Sequence, residues 1–139
     1  MVNSPPCVFD RILAREADAH WVLDGPEVAA FLDARPVFKG HTVVVPRQHI
    51  ETVADLEPEL LCELVEAGKR VAAAQQKAIG SDGTLFLLND VVSQSVPHVH
   101  LHVIPRRRKD GLRGFMWPRT RYDNEEEAED FASVIRAEL

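Results

Sequence analysis

Between two prolines the chain reads PHVHLHVIP, residues 97–105. Histidine stands at every second position, at His98, His100 and His102, and valine or leucine fills the gaps. Successive side chains on a strand point to opposite faces. The stretch is expected to form one strand, with Val99, Leu101 and Val103 turned toward a core. Three imidazoles would then line the other face, at intervals of roughly 7 Å. Any fold that holds this strand must cover one side with apolar residues and give the other side a use.

The rest of the chain supplies the cover. Residues 58–79 are expected to form a long helix with Leu61, Leu64, Gly68, Val71 and Ala72 on one stripe. Pro58 suits its first turn, Gly80 its C-terminal cap, and Cys62 reads as a small core residue. CVFDRILARE reads as a short helix or turn with Phe9 and Ile12 inward. HWVLDG and VAAFLDARP read as strands around a turn at Asp24, Gly25 and Pro26. GHTVVVPRQHI is a strand stopped at Pro46, and GTLFLLN is another. A last helix, about 124–138, is capped by Asn124 and carries Glu125, Glu126 and Glu127 at the positive end of its dipole. Its buried stripe would be Ala128, Phe131, Ile135 and Leu139. The expected fold class is α+β: an antiparallel sheet of about five strands, one long helix packed on it and a C-terminal helix, in a single domain over 1–139. Such an open sheet leaves edges, so a homodimer is expected.

At 139 residues, 45% apolar and 27% charged, the chain can bury one core. No run approaches the roughly 20 apolar residues that span a bilayer, and the start, MVNSPPCVFDRI, lacks a long apolar segment. A cytoplasmic protein without membrane association is expected. Cys7 and Cys62 do not suggest a disulfide framework. A net charge of −6 argues against a nucleic-acid partner. The basic loop 105–122 runs the other way: Arg106, Arg107, Arg108, Lys109, Arg113, Arg119 and Arg121 face the single acid Asp110. Directly after the histidines, such a segment suggests an anionic ligand.

Three readings of the histidine row compete. One is a polar outer face. A second is a zinc-dependent hydrolase with the histidines as ligands, although no HExxH motif or acidic ligand cluster accompanies them. A third is an imidazole that attacks phosphorus and holds the phosphoryl or nucleotidyl group covalently, with its neighbours aiding the proton transfers. The preceding NDVVSQSVP favours the third, because its amides and hydroxyls can hold a phosphate without a competing negative charge.

HVHLHVI resembles the histidine triad (HIT) signature, His-φ-His-φ-His-φ-φ with φ apolar, at every position. QSV just upstream, GHTVVVPRQHI, FLD and CVF accompany it in the family's order, over about residues 7–104. The resemblance implies a HIT-like fold and a dimeric hydrolase or transferase acting on a purine nucleotide. It casts His100 as nucleophile at the α-phosphorus, flanked by His98 and His102, with His41 completing a hydrogen-bond chain behind them. Asp33 would take the ribose hydroxyls, unless it only caps the turn before Pro36. Phe9, Ile12, Phe31 and Leu32 would line the base pocket, and the first three suit a core equally well. Asn89, Gln94 and Ser95 would contact phosphates.

The chain departs from the family pattern in places. Many members carry Cys-x-x-Cys near the start, which joins two histidines around a structural zinc. Here Asp10 replaces the second cysteine, leaving Cys7, Asp10, His49 and His98 as a harder, weaker ligand set. Ser93 stands where glycine is frequent, Pro97 removes an amide donor before the triad, and the loop from Asn89 to Gln94 looks short. No cofactor is required for the chemistry, although magnesium can accompany the substrate. Two clues to the leaving group disagree. The basic loop suits a dinucleoside polyphosphate, while Trp117-Pro118 resembles the Hint branch, which acts on phosphoramidates. The balance of the sequence leans to dinucleoside polyphosphates, releasing a nucleoside monophosphate. A non-catalytic nucleotide-binding module acting through partner proteins is the alternative.

Overall fold

The computed structural model describes residues 5–112 and 119–139. Two compact units make up the chain, 1–108 and 109–139. The first holds a short helix α1 (Val8–Leu13) and strands β1 (Trp21–Asp24), β2 (Val28–Leu32) and β3 (Thr42–Pro46). The long helix α2 (Pro58–Ile79) and strands β4 (Gly83–Leu87) and β5 (Leu101–Arg106) follow. The five strands form one antiparallel sheet in the order β1-β2-β3-β5-β4, as an α+β reading requires.

Helix α2 starts on Pro58, whose missing N–H is no loss in a first turn. It stops at Gly80, which takes φ 66° and returns its amide to the Gln76 carbonyl. Its buried stripe is Leu64, Ala67, Gly68, Val71, Ala72 and Gln75, packed on Val44, Val99, Leu101 and Val103. A Cβ at Gly68 would stand 2.7 Å from Leu101 Cδ2, so the missing side chain lets the helix approach β5. On the opposite face Phe9 and Ile12 cover Ala29, Phe31, Val43 and Val45. Strand β3 and most of β2 are thus buried from both sides, which explains their nearly unbroken apolar sequences.

Three expectations are corrected, for the start of the histidine strand, Leu61 and Cys62. The histidine strand begins at Leu101, because Pro97 has no amide to give and the Val99 amide bonds Ile50 outside the sheet, at 2.7 Å. The alternation of faces nevertheless reaches back to His98, since Val99 joins the α2 core while Phe9 meets His98 and His100 edge-on. Leu61 and Cys62 are exposed, because the stripe enters α2 through Leu60, one turn before Leu64. Arg107 is a helix cap: its guanidinium donates to the carbonyls of Ile79 and Gly80, where the α2 dipole is negative. Arg106 to Arg108 therefore lie at the far end of β5 from the histidines.

In the second unit, α3 (Glu125–Arg136) starts as expected, with the Asn124 side chain accepting the Glu127 amide at 2.9 Å. The stripe Ala128, Phe131, Ile135 and Leu139 is not buried: Phe131 is 53% and Ile135 61% exposed. An amphipathic helix buries its face only against another layer, and α3 is the one regular element among the unit's described residues. Arg113, Phe115, Trp117 and Pro118 lie outside the described residues. Among those described, no helix is long and apolar enough to cross a membrane.

Candidate active site

The partners of each imidazole assign its proton. His100 Nδ1 lies 2.7 Å from the carbonyl oxygen of His98, and a carbonyl only accepts. Nδ1 therefore carries the hydrogen, and Nε2 of the neutral ring is the lone-pair nitrogen. His41 is set the other way. Its Nδ1 accepts the Val37 amide at 3.1 Å, so its Nε2–H donates to His102 Nδ1 at 2.8 Å. His102 is left with its proton on Nε2. The rings of His100 and His102 meet edge-on, with centroids 4.8 Å apart.

Burial lowers the pKa of His41, reinforced by His100 and opposed by the Asp33 carboxylate. Burial, with His100 and His41 adding to it against Asp33, brings His102 down to about 4. Both rings stay neutral near pH 7, which keeps the donor–acceptor order just described. Asp33 uses one oxygen to accept the Arg35 amide at 2.8 Å, in a turn. Its other oxygen lies 3.6 Å from His41 Nε2 and 3.9 Å from His102 Nδ1, close enough for charge but too far for a hydrogen bond.

His98 flanks His100 through its backbone, while its ring joins the expected Cys7, Asp10 and His49 set. It is fully buried, Nε2–H donates to the Pro46 carbonyl at 2.8 Å, and Nδ1 faces away from the cavity residues toward Cys7 and Asp10. Its service to His100 comes through its backbone carbonyl. One residue the sequence reading missed supports the site from behind. Gln75 Nε2 donates to Gly40 O and Val103 O, both at 3.0 Å, one residue from His41 and one from His102. The available signal was a glutamine four residues after Val71 on the apolar stripe of α2.

Beside His100 lies a cavity of roughly 600 Å³, in the size range of small-molecule sites. Phe9, Ile12, Phe31 and Leu32 line it as expected, with Asp33 and Ser95. Asn89 and Gln94 do not. Asn89 donates to Ser93 O, while Gln94 accepts the Val91 amide and donates to Glu51 O, so both pin the loop. Val91 and Ser93 have φ of 68° and 62°. The left-handed backbone at Ser93 explains why glycine suits that position better.

Cys7, Asp10, His49 and His98 form a second cluster, with all four ligand atoms within 4.8 Å of one another. Cys7 Sγ lies 3.5 Å from His98 Nδ1 and 3.7 Å from His49 Nδ1. Asp10 oxygens lie 3.3 Å from His98 Nδ1 and 2.9 Å from His49 Nδ1. Ligands on a tetrahedral zinc are separated by about 3.3–3.8 Å. With His98 Nε2 committed to Pro46, its Nδ1 lone pair is free for such an ion. The set therefore fits zinc. Burial raises the Cys7 pKa, whereas amide and thiol contacts from Cys7 outweigh burial and hold the Asp10 carboxyl low.

Comparison with known proteins bears on this geometry. Residues 14–109 match the model of the HIT domain. An uncharacterized HIT-like protein of Mycobacterium tuberculosis is 41% identical over 77% of this chain and 76% of its own. An adenosine 5′-monophosphoramidase of Schizosaccharomyces pombe is 31% identical over 81% of this chain and 83% of its own. The crystal structure of a HIT family member from Bacillus subtilis superposes with TM-score 0.86 and 34% identity, covering 97% of this chain and 98% of that one. A Zn-bound histidine triad protein from Mycobacterium smegmatis superposes with TM-score 0.74 and 33% identity, covering 94% and 96%.

Proposed function

The chain belongs to the HIT domain family, and from that premise we propose that it hydrolyses purine nucleoside phosphoramidates through a nucleotidyl-His100 intermediate. The observation that carries this reading is the bond from His100 Nδ1–H to the His98 carbonyl, which leaves Nε2 as the nucleophilic nitrogen of a ring lining the cavity. The base lies against Phe9, Ile12 and Phe31, and the ribose hydroxyls reach Asp33. His100 Nε2 attacks the α-phosphorus in line, forming a P–N bond as the bond to the leaving amine breaks. His102 Nε2–H, held in its tautomer by His41, hydrogen-bonds the departing nitrogen, which takes up a proton from solvent and leaves as the free amine. Water then attacks phosphorus and gives a proton back to solvent as the P–N bond to His100 breaks, and the nucleoside monophosphate leaves.

Two observations favour an amine over a second nucleotide as leaving group. The fission yeast relative is named for phosphoramidate chemistry. Of the cations expected to grip a polyphosphate, Arg106 to Arg108 lie at the far end of β5, with Arg107 committed to capping α2. At about 3.3 Å per strand residue, Arg107 stands roughly 20 Å along the chain from His100. Cys7, Asp10, His49 and His98 would hold a structural zinc that fastens α1 to the triad segment. The Zn-bound relative supports that assignment. A homodimer belongs to the same reading, supported by β4 as an edge strand with Phe86 47% exposed.

The test compares adenosine 5′-phosphoramidate with a diadenosine polyphosphate, for wild type and His100→Ala. Wild type should release AMP faster from the phosphoramidate, and mass spectrometry after rapid quenching should find the adenylyl adduct on His100. The variant should lose at least about a thousandfold in kcat/KM, the scale expected when a nucleophile is removed. Undiminished activity in the variant would overturn the nucleophile. AMP binding with no turnover of either substrate would leave a binding module instead.

A further inference from the structure

Among the described residues, Asp18 and His20 line the cavity, are exposed, and make no side-chain hydrogen bond or ion pair. This sets them apart from two other polar groups of the same cavity. Asp33 is tied to the Arg35 amide and His100 to the His98 carbonyl. Asp18 and His20 lie just before β1 and His100 just before β5, with β2 and β3 between those strands in the sheet, while the His20 carbonyl accepts the Leu32 amide at 2.9 Å beside Asp33. The nucleotide orientation proposed above fixes what meets them. With the α-phosphate at His100 and the ribose at Asp33, the base crosses the apolar wall of Phe9, Ile12 and Phe31. Its outer edge then reaches the Asp18–His20 segment.

We propose that Asp18 and His20 read this edge and make the site select guanine over adenine. The inference rests on the nucleotide orientation of the proposed function and adds the identity of the base. An ionised carboxylate only accepts hydrogen bonds. Guanine presents N1–H and the N2 amino group side by side, so one carboxylate can take both. Adenine presents a bare N1 acceptor at the same place and has no N2 amino group, so the carboxylate meets a lone pair. His20 can donate a ring N–H to guanine O6. A neutral imidazole can also turn a lone pair to the adenine amino group, so the discrimination falls on Asp18. Reading a base by its Watson–Crick edge while stacking its faces on apolar side chains is a general solution for a single base in a pocket. Hypoxanthine keeps N1–H and O6 but lacks the amino group, and should rank between the two.

The experiment measures binding of GMP, IMP and AMP by calorimetry, and kcat/KM for guanosine and adenosine 5′-phosphoramidates, in wild type, Asp18→Ala and His20→Ala. Wild type should favour guanine by about tenfold, a charged hydrogen-bond pair weakened by its exposure. Affinities should follow GMP, then IMP, then AMP. The GMP-to-AMP ratio should collapse toward one in Asp18→Ala and fall by a smaller factor in His20→Ala. Equal affinities in wild type, or a guanine preference that survives Asp18→Ala, would sink the inference while leaving the hydrolase reading intact. A guanine preference lost in Asp18→Ala, with neither phosphoramidate turned over, would uphold the base selection and sink the hydrolase. Failure of all three monophosphates to bind would overturn both.

Discussion

His102 makes acid a specific stress for this fold. Its pKa is about 4 in the folded chain against 6.5 for an ordinary histidine, and its side chain is 13% exposed, so solvent screens it little. Because the folded value is depressed, the unfolded chain takes up the proton first as pH falls. Stability is therefore undiminished above about pH 6.5 and declines between 6.5 and 4. The full window is worth about 3 kcal/mol, and the part between pH 7.5 and 5 about 2 kcal/mol. Other buried groups titrate too, so the diagnostic quantity is a difference. Urea unfolding of wild type and His102→Gln, followed by circular dichroism at pH 7.5 and 5 in chelator, isolates it, because glutamine can still accept the His41 Nε2–H. Wild type should lose about 2 kcal/mol more than the variant over that interval, at equal m-values. An identical loss in both proteins would refute the claim that His102 is held neutral by its surroundings, and with it the proton order of the His41–His102 pair.

Two further outcomes follow from contacts away from the reacting atoms. Gln75→Leu removes two hydrogen bonds to buried carbonyls, although it also removes the unpartnered Gln75 Oε1. A net loss of about 1–2 kcal/mol in urea unfolding is expected, with kcat reduced more than KM is raised because the His41–His102 alignment loosens; unchanged kcat would make Gln75 structural only. Asp10→Cys restores a second thiolate to the Cys7, His49 and His98 set and should bind zinc more tightly in competition with a chromophoric chelator, whereas equal or weaker binding would show that the cluster is not built around a metal.

The parts of this protein legible in its sequence are those in which one periodicity dominates. Helix α2 announced itself through its stripe, Pro58 and Gly80, and the strands through β-branched runs and turn residues. Asp33, His41 and the pocket residues were reachable only through resemblance, since nothing local distinguishes a pocket phenylalanine from a core one. Phe9 does both jobs: it is 8% exposed, packs on Phe31 and still lines the cavity. Adjacency in sequence is a weaker guide to adjacency in space. Arg107 follows the triad closely in sequence, but a strand carries the chain away from the site, and the end of α2 claimed its charge. The stripe of α3 was a sound helix signal and a poor burial signal, because a pattern shows which face is apolar and not whether another layer covers it.

The two expectations placed on His98, ligand and neighbour of His100, fall to different parts of the residue. Three histidines at alternate positions suggest three side chains aimed at one substrate. Yet the ring of His98 is turned into the Cys7–Asp10–His49 cluster, while its carbonyl sets the proton of His100. One residue, Val99, separates them, so whatever steadies the His98 ring also steadies the carbonyl that holds the His100 Nδ1 hydrogen. The ring is held at both nitrogens, by Pro46 on one side and by the cluster on the other. Loosening the cluster would let the His98 carbonyl drift and leave His100 free to exchange its tautomer, placing the hydrogen on the nitrogen that attacks in the proposed mechanism. On this reasoning the metal-type cluster would act on the proposed reaction without touching the substrate, through a single 2.7 Å hydrogen bond.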